Sequence, residues 1–227
     1  MKNYLIISIL FLLLGCGQKE YLTNDIIEMD NGLYTEKFSG EPISGKVYGS
    51  FGEKSNLKKL YMGNLLNGKR EGIWNSYYSN GKKKCKYNFM NNKKNGLQNS
   101  WYENGNLLEE ETYKGGKKDG FYNSWYSDGQ KEMEGTYKND KKDGLITIWY
   151  ENGQKKYERT DKNGKKDGLE TGWFENGQKM SEGNWKDGKE DGLMTVWYEN
   201  GQKELEYIFK DGEIISRKGW NEDGSVR

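Results

Sequence analysis

Histidine is absent from this chain of 227 residues, and proline and cysteine are scarce. The absence of histidine excludes serine–histidine and cysteine–histidine nucleophilic pairs and histidine metal ligands. A single proline excludes a proline-rich linker, and the sequence has no glycine-rich phosphate loop ending in Gly-Lys-Ser/Thr. Acidic residues are plentiful, but they recur once per repeat, whereas a catalytic pair would occur once. We therefore predict no enzyme activity, catalytic residue, metal site or cofactor.

An excess of charge of one sign is also absent. The chain has 36 basic and 35 acidic residues, so it has no general attraction for nucleic acid or for anionic lipid. Only 33% of its residues are hydrophobic, a fraction close to that of disordered chains. Aromatic residues make up 14% and recur at fixed intervals, which a disordered polar chain has no reason to show. We therefore predict a folded protein that does not bind nucleic acid.

The only long apolar run lies at the amino terminus. It extends from Leu5 to Leu14, which is short for a membrane span, and is followed by Gly15-Cys16 and polar residues. This arrangement resembles a bacterial lipoprotein signal; the alternative is an ordinary secretory signal. The resemblance implies a signal peptide over 1–15, lipidation of Cys16 and a tether over 16–30. It places the protein at the bacterial cell envelope, facing the periplasm or the cell surface.

Six consecutive units of 24 residues each follow between Gly72 and Ile215, without an insertion or deletion. We count positions from the glycine that opens each unit, as position 0. Position 5 is Tyr77 in the first unit and tryptophan in the others, position 6 is tyrosine or phenylalanine, and Asn-Gly or Asp-Gly occupies positions 8 and 9. Such a fixed period predicts stacked supersecondary units with atypical end units. We assign degenerate repeats to 31–71, the regular array to 72–215 and a terminal half-repeat to 216–227.

Each unit has the pattern of a β-hairpin. In the fourth unit, β-branched and aromatic residues from Leu145 to Tyr150 precede the turn signal Asn152-Gly153, and a second strand follows. A three-residue turn with a glycine bulge would pair position 5 with position 13, and position 1 with position 17. This register would bury positions 1, 5, 13 and 17 on one face. The predicted structural core is the row Trp101, Trp125, Trp149, Trp173 and Trp197.

The opposite face of the predicted sheet combines the aromatic row at position 6 with the glutamates at position 14. We predict a binding face there, formed by Tyr102, Tyr126, Tyr150, Phe174, Tyr198, Glu134, Glu158 and Glu182. The alternative is cross-strand packing of the tyrosines beside a solvated acidic edge. Lysine pairs in the turns between units are interpreted as solvated loop tips. Cys85 is expected to be a small buried hydrophobic residue, and Asp161 to be paired with Arg159 or exposed.

The repeated pattern Gly-Leu-x-x-x-Trp-Tyr-x-Asn-Gly-Gln-Lys resembles the MORN repeat, in the bacterial form found in YwqK-type antitoxins. The resemblance implies an all-β fold: an elongated, curved, single-layer antiparallel sheet of stacked hairpins that contacts proteins or lipids. We expect a non-enzymatic, lipid-anchored repeat protein that binds an unknown protein, with an antitoxin as one form of this function. The alternative is a cell-wall glycan-binding module. Membrane bridging through phospholipid head groups and a two-carboxylate hydrolase are weaker alternatives.

Overall fold

The structure is a computed structural model that describes residues 18–51 and 57–227. Within these ranges the chain forms twenty β-strands and one 3-10 turn, Thr23–Asp25, with no α-helix. No helix there has the length and apolarity needed to cross a membrane. The predicted signal peptide and Cys16 lie outside the described residues, and their assignment remains a prediction. The all-β fold of stacked antiparallel hairpins is confirmed.

The strands cover most of the described chain. Their bounds are β1 Glu20–Leu22, β2 Ile26–Glu28, β3 Tyr34–Glu36, β4 Gly45–Phe51, β5 Lys58–Leu66, β6 Lys69–Tyr77, β7 Lys83–Met90, β8 Lys93–Lys94, β9 Gly96–Trp101, β10 Leu107–Lys114, β11 Lys117–Trp125, β12 Lys131–Lys138, β13 Lys141–Lys142, β14 Gly144–Trp149, β15 Lys155–Lys162, β16 Lys165–Trp173, β17 Lys179–Lys186, β18 Lys189–Trp197, β19 Lys203–Lys210 and β20 Glu213–Gly219.

One sheet contains eighteen of these strands, and β2 and β3 form a separate hairpin. From β4 to β20, with β8 counted as part of β9 and β13 as part of β14, each strand pairs antiparallel with the strand that follows it along the chain. β8 and β13 are short first segments of β9 and β14. At the amino-terminal end β1 pairs parallel with β4. This order is the meander that consecutive hairpin units predict.

The predicted register within a unit is wrong, although the turn is bulged as expected. The three-residue loop runs from Glu151 to Gly153, because the Tyr150 amide donates to the Gln154 carbonyl at 2.9 Å. Gly153 has a φ of 82°, in the left-handed region that glycine adopts without strain. The residue at position 12 forms a bulge without a partner on the opposite strand, and this bulge shifts the pairing by one residue. Position 5 therefore lies opposite position 11, and position 4 opposite position 13.

The glycine that opens each unit has a structural reason that the sequence pattern did not reveal. Where the last strand of one unit pairs with the first strand of the next, the register is irregular near the opening glycine. In the pairing of β15 with β16, for example, it shifts between Arg159 and Asp161. Gly144 has a φ of 118° there. A Cβ atom at this residue would overlap the hydroxyl oxygen of Thr136. The opening glycine of the fourth unit is therefore required by both backbone conformation and space.

This register sorts the positions onto two faces, because cross-strand partners share a face and neighbours along a strand alternate. We call one the tryptophan face; it carries positions 1, 3, 5, 11, 14, 16, 18 and 21. We call the other the tyrosine face; it carries positions 0, 2, 4, 6, 12, 13, 15, 17 and 22. Side-chain bonds agree with this division: Ser124 at position 4 donates to Glu132 at position 12. The tryptophans all lie on one side, as expected, but positions 13 and 17 lie on the other.

The predicted burial of position 1 is also wrong. Its residues are 36–52% exposed on the tryptophan face: Ile73, Leu97, Phe121, Leu145, Leu169 and Leu193. The tryptophans of the predicted core are half-buried, and none of them is among the fully buried side chains. A single-layer sheet explains both observations, since no second layer of the described residues covers either face of the array. The repeats are thus held largely by contacts between neighbouring strands.

The densest apolar cluster lies in the amino-terminal region. Tyr21, Ile43, Val47 and Leu65 are buried together, and Trp74 of the first regular unit packs against them. Farther along the array, Cys85 is buried and free, as expected for a small hydrophobic residue. The first unit therefore joins a compact amino-terminal end to the regular stack.

Candidate functional site

The tyrosines of position 6 connect each unit to the next one. The Tyr150 hydroxyl donates to the backbone carbonyl of Trp173 at 2.8 Å. The same bond recurs along the array for Tyr78, Tyr102, Tyr126 and Tyr198, each to the carbonyl of the next tryptophan. Phe174, which has no hydroxyl, is the exception. These hydroxyl groups are therefore engaged within the protein.

The glutamates of position 14 lie on the tryptophan face, and four of the five form ion pairs with lysines there. Glu158 lies across from Thr147, and its carboxylate is 2.5 Å from the ammonium group of Lys155. The same lysine lies 5.7 Å from the ring centre of Trp173 in the next unit. Glu134 and Glu182 form equivalent ion pairs with Lys131 and Lys179. A ladder of glutamate, lysine and tryptophan thus runs along this face.

The binding face predicted from the sequence is therefore divided. Its tyrosine members lie on one side of the sheet and its glutamates lie on the other. The prediction failed because it assumed a register that placed positions 6 and 14 together. Both sets also already have partners within the chain, so neither row presents unpaired polar groups to a ligand.

An exposed apolar row on the tryptophan face is formed by position 1. We call these six residues, from Ile73 to Leu193, the aliphatic row, although one member is Phe121. Neighbouring members are one hairpin apart, about 9.6 Å at ~4.8 Å per strand. Opposite them lie mainly asparagine and threonine, for example Thr160 across from Leu145. The row recurs at the same position in six consecutive units, which distinguishes it from singly scattered surface hydrophobic residues.

Lysines flank the aliphatic row at the turns that join successive units. Positions 18 and 21 lie directly opposite each other, and in four turns both are lysine. We call these eight exposed residues the lysine rim: Lys114 and Lys117, Lys138 and Lys141, Lys162 and Lys165, Lys186 and Lys189. Within residues 18–51 and 57–227 none of them forms an ion pair with a carboxylate. Each pair therefore places two positive charges opposite each other.

The hairpin turns at the other end of the strands are acidic. Their exposed carboxylates form what we call the acidic rim: Glu103, Asp128, Glu151, Glu175 and Glu199. The turns beside the aliphatic row thus carry the lysine rim together with aspartates such as Asp140 and Asp187, several of which accept hydrogen bonds from the backbone of neighbouring turns. The acidic rim lies at the other end of the strands, beyond the tryptophans.

The tyrosine face contains buried carboxylates that are paired with basic side chains of the chain. Glu111 is paired with Lys118 at 2.7 Å, and the Asp161 carboxylate lies 3.0 Å from Arg159 Nε. Asp161 is thus buried and locally paired, in agreement with the sequence interpretation. Burial raises the pKa of Tyr122 above its ordinary value, and the hydrogen bond to Glu109 acts in the same direction. Among the described residues, no group of three or more acidic or cysteine side chains is arranged to hold a metal.

The sequence matches the family described as MORN repeat variant in six stretches. They are residues 70–91, 94–114, 118–139, 142–164, 166–187 and 190–211. Together they cover more than half of the chain, which therefore belongs to the MORN repeat family. Repeats of this family mediate contacts with proteins or membranes. A search of curated proteins finds no match.

Two features of the tryptophan face were missed in the sequence. The sequence pattern predicts that the aliphatic row belongs to a core and that the lysines of the rim are separate loop tips. The fixed repeat period contained a usable signal, because lysines at positions 18 and 21 recur in consecutive units. The face on which they lie became clear only from the strand register.

Proposed function

We propose that this protein is a non-enzymatic scaffold that binds a protein partner through its tryptophan face. The observation that carries the proposal is the aliphatic row, which exposes one large hydrophobic side chain in each of six consecutive units. Exposed apolar side chains gathered on one face and bordered by polar residues are typical of an interaction site. The family assignment agrees, since its repeats mediate contacts with proteins or membranes.

We further propose that the scaffold is held at the bacterial cell envelope through a lipid on Cys16. The support is the resemblance of residues 1–16 to a lipoprotein signal. Several acyl chains, at about 0.8 kcal/mol per buried CH₂ group, anchor a protein without a spanning helix. Radiolabelled palmitate should therefore be incorporated into the wild-type chain and not into a Cys16→Ala variant. Equal labelling of both would contradict the anchor while leaving the binding proposal intact.

The protein interaction can be tested with a photo-crosslinking amino acid placed in living cells. At Leu145, a member of the aliphatic row, it should give one dominant adduct with another protein. The matched control is Lys156, an exposed residue of the same hairpin on the tyrosine face. Equal yields of the same adducts at both residues, or no adduct at Leu145, would contradict the proposal.

The nature of the crosslinked protein then tests the more specific forms of this function. Neutralisation of a toxin is the form suggested by the resemblance to antitoxins, and it requires the adduct to contain a toxin whose activity the purified chain inhibits. Glycan binding through the tyrosine row has less support, because the hydroxyl groups of that row are already bonded to backbone carbonyls. Unchanged retention of Tyr126→Ala on peptidoglycan would argue further against it.

A further inference from the structure

The lysine rim places like charges opposite each other in four consecutive turns. In an antiparallel pair, directly opposed side chains are neighbours, and two like charges there are destabilising. Lys138 and Lys141 illustrate the arrangement, since both are exposed and they form the last pair of their turn. Four lysines at position 11 of the same face do have carboxylate partners, as Lys155 has in Glu158. The ammonium groups of the rim therefore have no carboxylate partner within the described residues.

The rim and the aliphatic row form one amphipathic strip. Positions 16 and 18 are two residues apart on the same strand face, about 6.7 Å. Lys162 therefore projects on the same side as Thr160, which lies directly opposite Leu145. Both rows run across the strands with the same interval of about 9.6 Å per unit. A ligand along the strip would meet one apolar group and a pair of ammonium groups in each of the units that carry both.

We propose that the partner of the tryptophan face is an acidic protein segment lying across the strands. Its apolar side chains would pack on the aliphatic row, and its carboxylates would pair with the lysine rim. This inference rests on the proposed function and adds the chemistry of the partner to it. Its support is charge complementarity: the unpaired lysines provide the cations that an acidic segment requires.

The same face fits an anionic membrane poorly. A bilayer wide enough to cover the aliphatic row would also approach the acidic rim at the other end of the same strands. Its phosphates would be repelled by Glu151 and Glu175, and the chain has a net charge of only +1. A narrow protein segment can follow the lysine side of the face and avoid these carboxylates. This difference favours a protein over a lipid surface.

A single substitution separates the structural role of the rim from a binding role. Lys138→Glu replaces a repulsive pair with a glutamate opposite Lys141, so the melting temperature should rise. The yield of the Leu145 crosslink should nevertheless fall several-fold, and Lys138→Glu/Lys141→Glu should reduce it further. The matched control is Lys84→Glu/Lys156→Glu, which changes the net charge equally on the tyrosine face. A crosslink yield that the rim variants leave unchanged would overturn the inference and leave the proposed function standing.

Direct binding can be measured with synthetic probes and the purified full chain. The first probe is a labelled helical peptide of three heptads, with leucine at every seventh position and glutamates beside each leucine. One heptad of helix rises about 10.5 Å, close to the interval of one unit. Matched probes replace the glutamates with lysine or the leucines with alanine. Vesicles of phosphatidylglycerol and phosphatidylcholine test the membrane.

Fluorescence anisotropy should show binding of the acidic leucine peptide at least ten-fold tighter than that of either matched peptide. Binding should weaken as salt increases and in Lys138→Glu/Lys141→Glu. Equal affinity for the acidic and basic peptides would overturn the inference. So would stronger binding to the anionic vesicles, or a dimer formed by the chain alone that is lost in Leu145→Glu. A missing Leu145 adduct in cells would instead count against the proposed function.

Discussion

The hydroxyl group of Tyr150 donates a hydrogen bond to the backbone carbonyl of Trp173, 23 residues farther along the chain, at 2.8 Å. It joins two consecutive units at their hairpin turns. Because the repeats have no continuous apolar core, such bonds between neighbours are a substantial part of what holds the array. The absence of the hydroxyl at Phe174 provides a natural comparison within the same chain.

We predict opposite effects for substitutions at these two residues. Tyr150→Phe should lower the free energy of unfolding by about 1 kcal/mol, because a net hydrogen bond is lost and a carbonyl is left without its donor. Phe174→Tyr should raise it by a similar amount by supplying a donor for the carbonyl of Trp197. Urea denaturation followed by tryptophan fluorescence measures both. If both substitutions raised the free energy of unfolding, or both lowered it, the proposed bond between units would be contradicted.

The opening glycines should differ in their tolerance of alanine. Gly144 and Gly192 both have positive φ, 118° and 98°, so alanine at either residue should destabilise by about 1–2 kcal/mol through the backbone. A Cβ at Gly144 would also contact Thr136, whereas one at Gly192 would meet no atom within 4 Å. Gly144→Ala should therefore have the larger effect in urea denaturation. The reverse order would show that the space at Gly144 is not limiting.

Removal of the buried carboxylate at Asp161 should destabilise the fourth unit. Its side chain is 2% exposed and pairs with Arg159, so Asp161→Ala leaves a partly buried guanidinium without its partner. We expect a loss of up to about 3 kcal/mol. The double variant Arg159→Ala/Asp161→Ala should lose less than the sum of the two single variants. Additive losses would mean that the two side chains do not interact.

The protein should lose stability at alkaline pH. Burial raises the pKa of four tyrosines on the tyrosine face, Tyr87, Tyr113, Tyr122 and Tyr157. A raised pKa in the folded state means that the unfolded chain releases its protons first, near pH 10. Their contribution to stability is therefore complete below about pH 10 and is lost as the pH rises above it. Lys142 acts in the opposite direction, since burial lowers its pKa, but it is a single group.

Thermal unfolding between pH 8 and 11.5 measures this effect, with tyrosinate absorbance near 295 nm as a second observable. The melting temperature should fall above about pH 10, and full tyrosinate absorbance should appear only on unfolding. Tyr122→Phe should make the fall less steep. Tyrosines that all titrate near pH 10 in the folded protein would contradict the prediction.

The local chemistry of the unit made the hairpins predictable. Strand-forming residues from Leu145 to Tyr150, followed by Asn152-Gly153, define two strands and a turn in a way that depends only on neighbouring residues. The fixed period then requires the hairpins to stack in chain order. The left-handed glycine in the turn followed from the same local rule, and the structure confirms it at Gly153.

The candidate binding face could not be predicted in the same way. Its position depends on a one-residue bulge at position 12, which is occupied by chemically unrelated residues such as Glu132, Lys156 and Met180. A bulge without a recurring residue type leaves no signal in the sequence. The consequence was large, because a shift of one residue moves side chains to the opposite face.

By itself, the sequence determined that this protein is an array of six antiparallel hairpins, because the period and the turn residues act locally in every unit. Only the tertiary structure decided that the aliphatic row and the lysine rim share one exposed face, and that the glutamates lie apart from the tyrosines. The physical reason is that register results from the summed bonding of whole strands and their bulges. No single residue type specifies that sum.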